Sequence, residues 1–384
     1  MANNVDVVLV RNRMKRRRQL VKLLIVLAVV GLCAFIYLKR DMWFPQLEGI
    51  GSRYQNVTRN EDADAEGDFE LTVSGGVDYT ADFINNNLFI LCDKYLYIYG
   101  TDGKLKDSRQ HAYSNGVMKV CNKRALIYSS NGTSFRVDTA SKMLYELILD
   151  QPIWFGTLNE DGYAAIVTDS ETYACRLTIY DAAGKLLYTR ECVERLSDVC
   201  FYGDGCIFST INAAEGELTT TLQYITFDKT ELWETTPFAT LCLDVCTLPD
   251  GGAFVIGDSK AAYYSSNGAL EGSYNYNATL VDYAFADGRA AVLLKNEQRR
   301  QSVLMLFNDR SAAPVSVQLD SIGKSVIISD EMVYVLGGGH IKTFSFSGAE
   351  MDSIDVQDAY EKMLKNGKYY YLLGYDKINR TDVK

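Results

Sequence analysis

Two histidines, His111 and His340, are the whole imidazole supply of this 384-residue chain. A histidine-ligated metal centre or a Ser-His-Asp relay needs more of them in register, so neither is expected. The nine cysteines are the next candidates. Cys242 and Cys246, four apart, would share one face of a strand, but no histidine or second close pair joins them. Cys200 and Cys206 flank the turn "FYGDG" and are either a cross-strand disulfide or small buried hydrophobes between packed sheets. The stretch "DADAEGD" (Asp62, Asp64, Glu66, Gly67) begins like a calcium loop, yet its twelfth position is Val73, where a bidentate Glu is needed. "GGGHI" at 337–341 follows a strand pattern without opening a helix, which makes it a turn rather than a phosphate cradle. No catalytic residue, metal or cofactor is assigned.

What remains chemically distinctive is aromatic and cationic. "RQHAYSN" carries His111 and Tyr113, "QPIWF" carries Trp154, "YNYNA" carries Tyr274 and Tyr276, and "KNEQRRQ" carries Arg299 and Arg300. Arginine and aromatic rings gathered in one concave region suit a peptide or a carbohydrate ligand. Whether they gather depends on the elements that hold them.

Those elements repeat. Asn87, Asn122, Asp161, Asp204, Asp250, Asp287, Asp330 and Asn366 each begin or occupy a turn before a very hydrophobic run, at spacings of 35, 39, 43, 46, 37, 43 and 36 residues. Asp-Gly and Asn-Gly pairs suit such tight hairpins because the turn needs positive φ. A second turn, seen in "YGTDGKL", "YDAAGKL" and "SSNGAL", recurs once per period. Each period of about forty residues thus holds four short strands, a to d, which is the blade of a β-propeller. Eight a–b turns meet only seven c–d turns. The surplus predicts that Phe69 to Val73 is a lone d strand, completing a blade whose a, b and c strands end the chain. Eight blades is the expectation; seven follows if the C-terminal strands form only a partial cap. In such a ring the d–a and b–c connections share one face, where all seven aromatic, His and Arg candidates fall.

Residues 1–40 carry nine Lys/Arg against Asp6 alone, a charge of +8. Set against the net −10, this leaves −18 on the remainder, which would repel phosphate backbones and argues against nucleic-acid binding. The basic run precedes an uncharged "LLIVLAVVGLCAFIYL". From Leu20 to Leu38 a helix would span roughly 28 Å at about 1.5 Å per residue, enough to cross a bilayer. The positive-inside rule keeps the N-terminus cytoplasmic. The expected organisation is a basic cytoplasmic tail at 1–19, a single transmembrane helix at 20–38, a linker at 39–68 and an extracytoplasmic propeller at 69–384.

The Tyr-Asp-x-x-Gly-Lys turns resemble those of quinoprotein-like and WD-repeat-like propellers. The whole arrangement resembles bacterial single-pass membrane-anchored propeller proteins of uncharacterised function. Of the tryptophan that quinoprotein-type repeats carry, only Trp233 has a counterpart here, so the resemblance implies an architecture and no cofactor. It points to a binding or scaffolding module at the cell envelope with a protein or glycan partner. The rival readings are a propeller enzyme, dehydrogenase-like or carbohydrate-active, and a sensor ectodomain acting through a membrane partner. Acids converging on the central channel would favour the carbohydrate-active reading.

Overall fold

The chain folds into eight four-stranded antiparallel sheets. The structure is a computed structural model in which Phe69, Leu71–Val73 and residues 79–382 are described, Glu215 and Lys229 excepted. The basic tail, the span at 20–38 and the linker at 39–68 lie outside the described residues. No helix among the described residues is long and apolar enough to cross a membrane.

Blades 1 to 7 occupy residues 80–110, 116–148, 153–192, 195–234, 242–275, 279–318 and 323–355. Blade 8 joins residues 362–382 to Leu71–Thr72. Each blade runs a-b-c-d outward from the channel; the b and c strands are the most buried, the a strands along the channel are largely half-buried, and the d strands are the most exposed. The b strands Asn87–Leu91, Ala164–Thr168 and Ala253–Gly257 are almost wholly buried. Both their faces are covered by neighbouring blades, which is why they read as unbroken apolar runs. The d strands Leu105–Gln110 and Leu270–Asn275 lie outermost and alternate between exposed and half-buried.

The core is divided among the seams between blades. Leu91 and Ile98 of blade 1 pack on Met118 and Ile127 of blade 2 and on Tyr113 of the connection between them. At the opposite side of the ring, Phe254 and Tyr263 of blade 5 pack on Val292 and Phe307 of blade 6. Ring closure follows the expected scheme: Leu71 pairs with Ile378 and Thr72 with Lys377. Phe69 meets Tyr371 edge-on at 4.9 Å and lies under the Arg380 guanidinium at 5.0 Å. The seam between blades 8 and 1 is further tied by Tyr79, whose hydroxyl donates to Gly374 O at 2.8 Å. Eight blades are present, and the seven-bladed alternative falls.

The c–d turns explain the recurring motif. Asp181 Oδ1 accepts the N–H groups of Ala183 and Lys185 at 2.9 and 2.8 Å, and Gly184 sits at φ +81°. A carboxylate bonding two residues on and a positive-φ glycine are what this turn requires. Gly103, Gly268 and Gly348 repeat the conformation.

Candidate functional site

The channel is bordered by the a strands, and five consecutive ones share a defect. In Ile153–Leu158, Arg195–Tyr202, Cys242–Thr247, Thr279–Ala286 and Gly323–Ser329 the register shifts by one residue near the loop-face end. The supernumerary residues are Trp154, Ser197, Leu243, Val281 and Lys324. Bulges re-aim side chains beside sites, and here they recur at one height around more than half the ring. Leu243 and Val281 remain 40% and 38% exposed despite belonging to the innermost strands. Trp154 is half-buried, with the Arg195 guanidinium of the next blade 4.9 Å from its ring centre. The loop-face mouth therefore carries a partly apolar collar with cationic groups set into it.

Directly after the bulges come Phe155, Asp198, Asp244, Asp282 and Ser325, one tier deeper. Innermost strands leave their channel-side N–H groups without a ladder partner, and two of the carboxylates supply one. Asp198 Oδ2 accepts the Val245 N–H at 2.7 Å, and Asp282 Oδ2 accepts that of Val326 at 2.8 Å. Each thereby latches its blade to the next. Asp244 makes no such latch; its carboxyl lies beside that of Asp198. Burial, and after it the charge of Asp244, holds the Asp198 carboxyl well above the usual carboxylate range. Some solvent reaches both groups along the channel, but the surrounding strands strip most of their hydration. Cys246 Sγ lies 3.7 Å from Asp244 Oδ1, and Cys242 Sγ lies 3.5 Å from the Asp244 carbonyl oxygen. Burial, then the nearby carboxyl charges, pushes the Cys200 and Cys246 thiols up, so they stay protonated and unreactive at neutral pH.

This pair predicts an inverted pH response. Unfolded, Asp198 ionises near 3.9; folded, it keeps its proton to higher pH. Its stabilising share is complete below the unfolded value and is lost as pH rises through the folded one. Asp198→Asn keeps an oxygen for Val245 and offers an N–H to Asp244. It should raise stability at pH 8 by about 1 kcal/mol or more, a gain that fades at pH 4. Thermal unfolding followed by circular dichroism at the two pH values checks this; a lower midpoint at pH 8 refutes it.

The residues singled out from sequence separate into two groups. His111 is buried, with Nε2 at 2.8 Å from Cys92 O and Nδ1 accepting the Tyr113 N–H at 3.3 Å. Desolvation holds its pKa below the ordinary histidine value. Tyr113 is also buried and donates to Glu146 Oε1 at 2.6 Å. Both are positions where the d–a segment dips beneath the next blade, and neither presents a ligand surface. Tyr274 packs edge-on against Phe307 at 5.7 Å, and Tyr276 lies in the same seam between blades 5 and 6. Arg299 and Arg300 are exposed on the b–c turn of blade 6. Of the seven, only Trp154 stands at the channel mouth. Cys200 and Cys206 are free thiols. Cys200 pairs with Ile207 and Cys206 with Phe201, so alternation puts the two sulfurs on opposite faces of the sheet, and the disulfide expectation fails. Among the described residues, no three His, Cys, Asp or Glu side chains are placed to hold a metal ion.

The model of a family of unknown function, DUF5711, matches residues 56–382. The chain belongs to this family. Comparison with curated protein sequences gives no match. Among solved structures, Sqt1 of Saccharomyces cerevisiae is similar at 10% identity with a TM-score of 0.59, over 82% of this chain and 100% of that one. BamB of Moraxella catarrhalis is similar at 11% identity and a TM-score of 0.55, over 82% and 96%. AztD of Citrobacter koseri is similar at 10% identity and a TM-score of 0.52, over 73% and 86%. At these identities the likeness establishes the propeller architecture of this DUF5711 chain and nothing of its chemistry.

Proposed function

We propose that this DUF5711 protein is a membrane-anchored, extracytoplasmic binding module that receives a protein partner at the loop-face mouth of its channel. The observation that carries the reading is the collar of five successive bulges. It sets Leu243 and Val281 partly bare and places Trp154 under Arg195 in one ring-shaped rim. Tryptophan and arginine beside desolvated aliphatic groups are the residue types that anchor protein interfaces. The carboxylate latches keep the rim rigid, so binding costs little ordering entropy.

The anchor rests on the apolar run at 20–38 and its basic flank. The orientation is supported by strand direction. Leu71–Thr72 runs antiparallel to Lys377–Asp382, so the chain enters the ring from the side of the c–d turns. A tether on that side leaves the collar facing away from the membrane. The acid pair is the one feature that favours a carbohydrate-active enzyme. Its carboxyls lie side by side, however, whereas glycoside hydrolysis needs them about 5 Å apart or more.

Photo-crosslinking residues placed in whole membranes at Leu243 and Val281 should yield a protein adduct of discrete mass. The same residue at the exposed c–d turn positions Ala183 and Ser347 should yield none. Leu243→Asp should abolish the adduct formed from Val281. Equal adducts from both faces, or glycan or lipid adducts at the collar, would overturn the proposal.

A further inference from the structure

We propose that Cys175 and Cys192 are a built disulfide site, oxidised by a disulfide-bearing compound such as oxidised glutathione or a thiol–disulfide oxidoreductase. The structure holds both residues as thiols. They face one another directly across the strands Cys175–Tyr180 and Leu186–Cys192 of blade 3. Opposed residues of an antiparallel pair project to one face of the sheet. Their Cα atoms lie about 4.5–5.5 Å apart, inside the span of about 4.4–6.8 Å that a disulfide bridges. None of the other described cysteines faces a cysteine across a strand pair. Cys121, Cys200, Cys206, Cys242 and Cys246 stand opposite Arg124, Ile207, Phe201, Gly257 and Phe254, and Cys92 lies between strands.

The surroundings agree with a bond at this point. Both residues are buried, in one apolar cluster with Leu177 of blade 3 and Leu196, Val199 and Phe208 of blade 4. The Cys175 thiol donates to Glu194 O at 3.4 Å and the Cys192 thiol to Arg190 O at 3.8 Å. The two sulfurs also sense each other. The Cys192 thiol outweighs burial and holds Cys175 below the ordinary cysteine value, while the nearness of Cys175, and then burial, holds Cys192 above it. Opposed Cβ atoms must close by ~1 Å for the bond to form. The ladder ends at this pair, so the shift falls on a strand end rather than on a continuing sheet. Ala174, just outside the ladder, donates its N–H to Cys192 O at 3.0 Å, and residues 169–174 are the b–c connection.

Oxidation proceeds as two thiol–disulfide exchanges. The Cys175 thiolate attacks one sulfur of oxidised glutathione and releases a glutathione thiolate. The Cys192 thiolate then attacks the Cys175 sulfur of the mixed disulfide and releases the second. The two cysteines together lose two protons and two electrons, and the glutathione disulfide is reduced to two thiols. Both strands belong to one hairpin, so the bond needs only local contact and forms before blade 4 covers it. In the cell the oxidant belongs to the extracytoplasmic side, and to that extent the inference rests on the proposed function. The collar gains from the bond. Glu194, held by Cys175, immediately precedes Arg195, and Trp154 packs on the same cluster. A link at the root of that connection keeps Arg195 over Trp154.

The test synthesises the full chain cell-free into detergent micelles, once with mixed oxidised and reduced glutathione and once with dithiothreitol. Remaining thiols are blocked with N-ethylmaleimide in denaturant, and the digest is read by mass spectrometry. The glutathione sample should give a linked Cys175–Cys192 peptide, lighter by two hydrogens than its parts. Of the nine cysteines, the other seven should be blocked. Its thermal midpoint should lie several degrees above that of the dithiothreitol sample. Cys175→Ser with Cys192→Ser should abolish that difference, and Cys200→Ser with Cys246→Ser should keep the linked peptide. Cys175 and Cys192 both blocked after glutathione, either one linked to a third cysteine, or equal midpoints in the two samples would each overturn the proposal. Blocking in whole membranes tests the compartment separately, and a linked pair is expected there. A pair that links with glutathione but is blocked in membranes refutes the extracytoplasmic placement and leaves the disulfide site standing.

Discussion

Removing residues 1–78 should leave a protein that no longer unfolds cooperatively and that aggregates, whereas removing residues 1–60 should leave the thermal transition in place. The two truncations differ by the segment that closes the ring. Phe69 and Val73 are each 7% exposed and belong to the apolar cluster shared by blades 8 and 1, which Leu71 also contacts. Burying side chains of this kind contributes about 1.5–3 kcal/mol apiece, so the three supply roughly 5 kcal/mol or more. That is a large part of the 5–15 kcal/mol by which a typical domain is stable. Their loss also bares the outer edge of Lys377–Asp382, whose unpaired N–H and C=O groups would then template pairing with another chain. Size-exclusion chromatography and thermal unfolding of the two truncated proteins decide it. A monomeric, cooperatively folded 79–384 fragment would show that the ring closes without its fastener.

The closure was legible because turn chemistry is local. Positive φ at Gly103, Gly184, Gly268 and Gly348 is demanded by the c–d turn itself, and no distant contact is needed to predict it. Counting two turn types against each other then revealed the shared blade. The buried b strands were legible for a similar reason: coverage on both faces removes alternation and leaves apolar runs. The site was another matter. His111 and Tyr113 have the composition of a ligand-binding loop, and nothing in "RQHAYSN" tells that both turn inward under the next blade. The bulges depend on comparing an a strand with its b partner, a long-range register that composition does not carry. A signal for the acid tier did exist. "DVC" occurs at both Asp198–Cys200 and Asp244–Cys246, each starting six residues before the Asp of an a–b turn, and Asp282 stands five before Asp287. Repeats aligned on their turns would have shown three acids at one height.

Asp138→Ala should be the most damaging single substitution, costing on the order of 3–5 kcal/mol as measured by denaturant or thermal unfolding. Asp138 is fully buried at the end of the c strand Ser134–Asp138 in blade 2. Arg109 of blade 1 donates Nη1–H to Asp138 Oδ1 at 2.8 Å and to Thr139 O at 2.8 Å. Its Nη2 and Nε reach Ala140 O at 3.1 Å and Asp107 Oδ2 at 2.8 Å. Arg136 Nε stands 2.8 Å from Asp138 Oδ2, though off the hydrogen-bond direction, and Arg136 Nη1 donates to Gln110 O at 3.1 Å. One carboxylate therefore compensates two guanidinium groups that are themselves 13% and 5% exposed. Taking it away leaves Arg136 without a carboxylate and Arg109 with the more exposed Asp107 alone, so most of the penalty is that of uncompensated buried charge rather than of one lost bond. Asp138→Asn should cost less than alanine, because its amide oxygen still accepts from Arg109. A neutral replacement of all three residues, Arg109→Met, Arg136→Met and Asp138→Leu together, should recover most of the loss, since buried ion clusters contribute little net stability over well-packed apolar groups. If the triple variant is instead as unstable as Asp138→Ala, the network stabilises the seam between blades 1 and 2 by its hydrogen bonds to Thr139, Ala140 and Gln110, and charge compensation is the smaller part.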